Sequence, residues 1–274
     1  AVQAKNILKT YGVHIPIITT LHGTDITLLG KDKSFKPVIE YAINQSDAIT
    51  AVSKDLINVT KSHFKINKDI KMIPNFIDLH LYSQTVDEKL KSKIAKKHEK
   101  ILVHISNFRK VKRVGDVIKI FNNVKKKNPS KLLMIGDGPE RIRAEQLSRK
   151  LGISSSIKFM GKLKSVEEYL SISDIFILPS ETESFGLVAL EAMASKVAVV
   201  STNSGGLNEV NIDGITGYLS DVGDIYKMSN DVLRIISDDH VLNEFKNRAF
   251  EHAKQFNLPI ILPKYEQLYK DILK

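Results

Sequence analysis

Ser180-Glu181-Thr182-Glu183-Ser184-Phe185-Gly186-Leu187-Val188-Ala189-Leu190-Glu191-Ala192-Met193-Ala194 is the stretch that decides the fold. It follows a strand-like run, Ile175-Phe176-Ile177-Leu178-Pro179, and crosses a polar turn. From Gly186 the spacing of Leu187, Leu190 and Ala194 predicts a helix. A strand feeding a helix whose first amides lack partners makes an anion site. Glu183 precedes that helix and Glu191 lies about one turn into it, so carboxylates stand ready to accept hydrogen bonds from hydroxyls. Amides for a phosphate beside carboxylates for hydroxyls fit a sugar nucleotide.

On both sides of this stretch, short apolar runs alternate with helical patterns. The first part predicts helix 2–11, strand 15–22, helix 35–45, strand 48–52, helix 54–63 with Ser53 as N-cap, and a strand near 70–73. A Lys-rich segment, 87–100, predicts a solvated helix; its basic character also suits an anionic membrane surface, although Leu90, Ile94 and Ala95 offer little apolar area. From residue 101 the pattern predicts strands at 101–106, 132–135, 157–161, 175–178 and 197–200. The intervening helices fall at 113–127, 139–151, 165–173 and 186–195, and Ser165-Val166-Glu167-Glu168 reads as a capping box. Helices 223–237 and 239–255 follow, then a break at Leu258-Pro259-Ile260-Ile261 and a last helix, 263–273. The expected class is α/β, with doubly wound parallel sheets covered on both faces.

Composition narrows the partners. The chain has 274 residues, no Cys, and a formal net charge of +10. Without Cys there is no disulfide, thiolate chemistry or Cys-ligated metal, which suits a cytoplasmic protein. The charge favours anionic partners: sugar nucleotides, acidic headgroups or nucleic acid. No zinc finger, RNP motif or aromatic-basic interleaving supports a nucleic-acid binder. The eight His are scattered and no Asp-x-Asp occurs, so no metal or other cofactor is expected. A doubly wound domain normally opens with a strand, whereas helix 2–11 comes first here. The first domain is therefore expected to be incomplete.

Glu183 and Glu191 lie within Glu-Ser-Phe-Gly-Leu-x-x-Leu-Glu-Ala-Met-Ala, which resembles the motif of the retaining glycosyltransferases of family GT4. The resemblance covers the whole chain and implies a GT-B fold of two Rossmann-like domains. It places the C-terminal half of an acceptor-side domain at 1–97, a donor domain at 98–257, and a helix crossing back to the first domain at 258–274. It implies that Glu183 holds hydroxyls of the transferred sugar and Glu191 the ribose, with the amides of Phe185, Gly186, Leu187 and Val188 and the adjoining Ser184 facing the phosphate or sugar. Gly136-Asp137-Gly138-Pro139 matches the family's nucleoside loop, and Met160-Gly161 the segment that reads the uracil edge. Ser204-Gly205-Gly206 matches its glycine loop; as residues alone, an ordinary turn fits equally.

The family's Gly-Arg loop is altered here. Aligned on Lys112, the Arg position holds Asn107, and Arg109 is expected to supply that charge. Lys112 and Arg109 would neutralise the diphosphate as it leaves. His22 resembles the histidine that reaches the sugar near C6, with Thr24 and Asp25 on the acceptor side; by itself His22 reads equally as a structural group. Three stretches point beyond the general pattern: Thr20-Leu21-His22-Gly23-Thr24-Asp25-Ile26-Thr27, Ser106-Asn107-Phe108-Arg109 with Val111-Lys112-Arg113, and Pro74-Asn75-Phe76-Ile77-Asp78. They resemble the family's bacillithiol-pathway branch, which implies UDP-N-acetylglucosamine as donor and L-malate as acceptor. Transfer to a lipid or polysaccharide, with weak contact to a membrane surface, stays open, as does a homo-oligomer.

Overall fold

The computed structural model describes residues 1–27, 30, 32–82 and 85–274. The chain forms two compact units, one of residues 1–76 with 258–274 and one of residues 77–257.

The first unit holds a parallel three-stranded sheet, β1 (Ile18–Leu21), β2 (Ala48–Ala51) and β3 (Ile70–Met72), in the order β1-β2-β3. Its helices are α1 (Val2–Thr10), the short α2 (Thr24–Thr27), α3 (Lys36–Asn44) and α4 (Lys54–His63). Ser53 caps α4 as expected, its hydroxyl accepting from the Leu56 amide at 3.1 Å.

The second unit begins with the single turn α5 (Leu79–Tyr82) and α6 (Glu88–Ile94). Then β4 (Lys100–Ile105), α7 (Val114–Lys125), β5 (Ser130–Ile135), α8 (Arg141–Lys150), β6 (Ile157–Gly161) and α9 (Glu167–Ser171) alternate. They continue with β7 (Ile175–Leu178), α10 (Leu187–Ala194), β8 (Ala198–Thr202), α11 (Leu207–Val210), β9 (Gly217–Ser220), α12 (Ile225–Ile236) and α13 (Asp239–Ala253). The six strands run parallel in the order β6-β5-β4-β7-β8-β9. Every residue of β7 and β8 is buried. Successive side chains of a strand point to opposite faces, so both faces of the sheet are covered. The order reverses between β4 and β7. At such a reversal, the loops leaving the carboxyl ends of neighbouring strands open a crevice where open α/β sheets bind ligands.

Several expectations need correction. The units divide between Phe76 and Ile77, not at residue 97. Ile94 and Ala95 are buried, and Lys158 donates to the Lys93 carbonyl at 2.9 Å, so α6 is anchored to the second unit. The capping box at 165 does not form. The Ser165 hydroxyl bonds the Glu167 carboxylate instead of a helix amide, and Val166 occupies the N-cap. The final helix, α14 (Leu258–Ile272), begins at the expected break. Pro259 falls in its first turn, where a missing N–H costs nothing, and Pro263 gives up one interior bond. Ile261 and Leu268 of α14 pack with Ile73 in the core of the first unit.

Two glycines separate backbone strain from steric overlap. Gly152 ends α8 with φ +70, and a Cβ there would meet nothing within 4 Å. Gly136 has φ +119, and its Cβ would lie 1.8 Å from the Ser106 carbonyl oxygen. In denaturant unfolding, Gly152→Ala is expected to cost about 1 kcal/mol, the left-handed strain alone. Gly136→Ala should cost clearly more, roughly 3 kcal/mol or above, because two backbone segments must separate.

Candidate active site at the strand-order reversal

The loops leaving the carboxyl ends of the second unit's strands form two meshes. In the first, the Gly136 amide donates to the Gly161 carbonyl at 2.8 Å, and the Glu140 amide to the Phe108 carbonyl at 2.9 Å. A Cβ on Gly138 would stand 2.0 Å from the Asn107 carbonyl oxygen. Asn107, Gly136 and Gly138 are thus brought onto neighbouring loops, beside Met160 at the end of β6. In the second mesh, the Gly206 amide donates to the Glu183 carbonyl at 2.8 Å. A Cβ on Gly205 or Gly206 would collide with the carbonyl of Glu183 or Ser184, at 2.1 and 2.3 Å. Loop packing on loop by itself requires glycine at these positions. The Glu181 amide joins the two meshes by donating to the Val111 carbonyl at 2.8 Å.

Across that junction the Lys112 ammonium lies 2.5 Å from Glu183 Oε1. Lys112 sits at the end of a short 3-10 turn, Lys110–Lys112, and Arg113 follows in the left-handed region at φ 49. Arg113 is itself tied down, to Asp116 at 2.5 Å and to Glu181 at 3.2 Å. Arg109 is exposed and makes no ion pair among the described residues; Asn107 is exposed beside it.

Helix α10 has Gly186 at its N-cap, held at φ 90 and without a side chain to cap the first turn. Ala189, Leu190, Ala192, Met193 and Ala194 are buried, which leaves Leu187 exposed and Val188 and Glu191 half-buried. Phe185 is buried with its ring edge-on to Phe256 at 5.8 Å, so only its backbone can serve a ligand. Glu191 accepts a hydrogen bond from the Tyr82 hydroxyl, and Glu167 stands nearby. Burial pushes the Glu191 carboxyl up to about 7, the Glu167 charge adds to the shift, and the Tyr82 bond opposes it. Burial and the neighbouring Glu191 likewise raise Tyr82. Sequence reasoning did not find Tyr82 or Glu167, which are distant in sequence and come from α5 and α9.

A further group was missed beneath the loop. His104 of β4 is fully buried, with Nδ1 2.8 Å from the Ile177 carbonyl oxygen and Nε2 2.8 Å from the Ser106 hydroxyl. Burial pushes it down to about 4. A lone polar residue inside Ile101-Leu102-Val103-His104-Ile105 was the available signal.

His22, Thr24 and Asp25 belong to the first unit. They are exposed, just beyond the carboxyl end of β1, with Thr24 and Asp25 opening α2. No helix among the described residues is long and apolar enough to cross a membrane.

The family described as glycosyl transferases group 1 matches residues 86–252, more than half of the chain, and glycosyltransferase family 4 matches residues 4–81. The chain is 45% identical to N-acetyl-alpha-D-glucosaminyl L-malate synthase of Bacillus anthracis over 265 residues, covering 96% of this chain and 70% of that protein. It is 30% identical to D-inositol 3-phosphate glycosyltransferase of Corynebacterium diphtheriae, over 64% of this chain and 43% of that one. Among solved structures, Anabaena HepE in complex with UDP and glucose superposes with TM-score 0.85 at 20% identity, over 98% of this chain and 76% of that one. Sucrose-phosphate synthase from Thermosynechococcus elongatus gives 0.84 at 20%, over 98% and 70%. The chain belongs to the family 4 glycosyltransferases and has their GT-B fold.

Proposed function

We propose that this glycosyltransferase moves N-acetylglucosamine, with retention, from UDP-N-acetylglucosamine to L-malate, in the cytoplasm and in the bacillithiol pathway. The substrates rest on the 45% identity to the Bacillus anthracis synthase. The chemistry rests on one observation: a lysine and a glutamate meet at the strand-order reversal, Lys112 Nζ 2.5 Å from Glu183 Oε1.

A diphosphate leaving group gains negative charge as the glycosidic bond breaks. Lys112 and the exposed Arg109 supply cations for it, and the first turn of α10, behind its N-cap glycine, supplies amides. Glu183, already oriented by Lys112, accepts hydrogen bonds from sugar hydroxyls, and Glu191 from the ribose. The loop at Gly136 and Gly138 flanks the nucleoside, and the backbone near Met160 reads the uracil edge. In this reading the acceptor attacks the face that the diphosphate leaves, and the departing phosphate takes the acceptor's proton. The two carboxylates hold hydroxyls; they do not form the acid–nucleophile pair of a glycosidase. His22, Thr24, Asp25 and the loop at Gly205 and Gly206 are assigned to the sugar and acceptor side.

Calorimetric titration should give binding of UDP and UDP-N-acetylglucosamine, but not of ADP analogues. Equal affinity for uracil and adenine nucleotides would remove the uridine assignment. In the full-length protein, with L-malate as acceptor and mass spectrometry of the product, Lys112→Ala should lower kcat as well as donor affinity, because the charge it meets grows in the transition state. Glu191→Gln should act mainly through a higher donor KM, worth about 1–3 kcal/mol. Wild-type kinetics in both folded variants would place the donor elsewhere.

Glu191 also gives a pH test. Its folded value near 7 lies above the ordinary 4.5, so the folded state holds an extra proton between them. The burden on folding grows as pH rises through that window and is complete above it. Glu191→Gln should therefore be more stable than the parent at pH 8, by about 1–3 kcal/mol, and gain nothing at pH 4. In the parent, donor KM should rise as pH falls below about 7, because a protonated carboxyl accepts hydrogen bonds more weakly.

A further inference from the structure

We infer that His104 and Ser106 are positioning residues of the transfer reaction: a buried imidazole–hydroxyl relay that sets the Lys112 loop against the strand leading to Glu183. This rests on the donor-site reading above.

An imidazole buried among aliphatic side chains is costly unless both nitrogens find partners. Here both do, and the partners fix every direction. The Ile177 carbonyl can only accept, so Nδ1 carries the proton. Nε2 is then an acceptor, and the Ser106 hydroxyl 2.8 Å away must donate to it. That orients a lone pair of Ser106 Oγ toward the Phe108 amide, which donates at 3.2 Å. Phe108 is held at φ 40, where a non-glycine residue needs outside support, with its ring buried and stacked on His104 at 6.0 Å between centroids. Its carbonyl accepts from Glu140. The chain leaving Phe108 then runs through the 3-10 turn to Lys112.

The relay also spans the reversal in strand order. Registered pairing of β4 with β7 consists of Leu102 with Ile175 and Val103 with Phe176. At the next position the His104 ring reaches the Ile177 carbonyl. The side chain thus continues the tie between strands where the ladder stops and the loops begin to diverge. A Val or Ile at 104 would fill the strand as its neighbours do, but it would give Ser106 no acceptor and Phe108 no fixed amide. The low value of His104 keeps it neutral, and so in one tautomer, across the working pH range.

The test is kinetic and spectroscopic, on the full-length protein with UDP-N-acetylglucosamine and L-malate. Ser106→Ala leaves Nε2 of His104 without its donor and should melt somewhat earlier than the parent, yet stay folded at the assay temperature and lose ten- to a hundredfold in kcat, the range expected for a displaced catalytic group. Ser106→Thr, which keeps the hydroxyl, should recover most of it. Ser106→Ala combined with Lys112→Ala should be no slower than Lys112→Ala alone, because the hydroxyl acts through the lysine. Nitrogen NMR of the unsubstituted protein should show His104 as the neutral Nδ1–H tautomer from pH 5 to 8. Wild-type kcat in Ser106→Ala, losses that multiply in the double variant, or an Nε2–H tautomer would each overturn the relay. If Lys112→Ala itself has wild-type kinetics, the donor-site reading fails instead.

Discussion

The Lys112–Glu183 ion pair is the contact on which the site depends. Each side chain comes from a loop at the carboxyl end of a strand, and the two strands, β4 and β7, are neighbours only because the sheet order reverses between them. The pair is partly exposed, with side chains 21% and 14% accessible, so it adds little to folding stability. Its value is orientation. In the proposed reaction, a cation and a carboxylate assigned to different parts of one substrate are held in register before it arrives.

Around that pair, stability and function pull apart. Glu191 stands partly buried beside Glu167, with the Tyr82 hydroxyl as a partner. Burying a carboxylate near another works against folding, and such positions concentrate where chemistry requires them. His104 is a different case: equally polar and more deeply buried, but fully bonded. It therefore adds direction without a comparable electrostatic burden.

Much of this was legible in the sequence because strand–loop–helix alternation is periodic and the Glu183-to-Glu191 stretch combines a turn, a helix start and two acids. The sheet of the second unit could be anticipated from apolar runs such as Ile175-Phe176-Ile177-Leu178. β9 could not, since Gly217-Tyr218-Leu219-Ser220 carries no continuous apolar signal and follows a turn at Gly214. The early start of α14 was hidden by Pro259 and Pro263, which read as breakers unless the first-turn exception applies. The unit boundary was misplaced because α6 is Lys-rich; two buried residues at its end decide its allegiance, too few for periodicity to detect. Tyr82 and Glu167 escaped for another reason. Their roles arise from contacts between residues far apart in sequence, and composition carries no trace of such contacts.

The glycine-dependent meshes have a consequence for dynamics. Loops at the rim of a sheet ordinarily exchange their amide hydrogens early, by small local openings. Here the amides of Gly136, Glu140, Glu181 and Gly206 are each bonded to a neighbouring loop and not to solvent. At Gly138, Gly205 and Gly206 the facing backbones also lie closer than a Cβ would allow. Rim and strand ends should therefore open together as one cooperative unit, with slow exchange extending from the sheet into the loops that line the site.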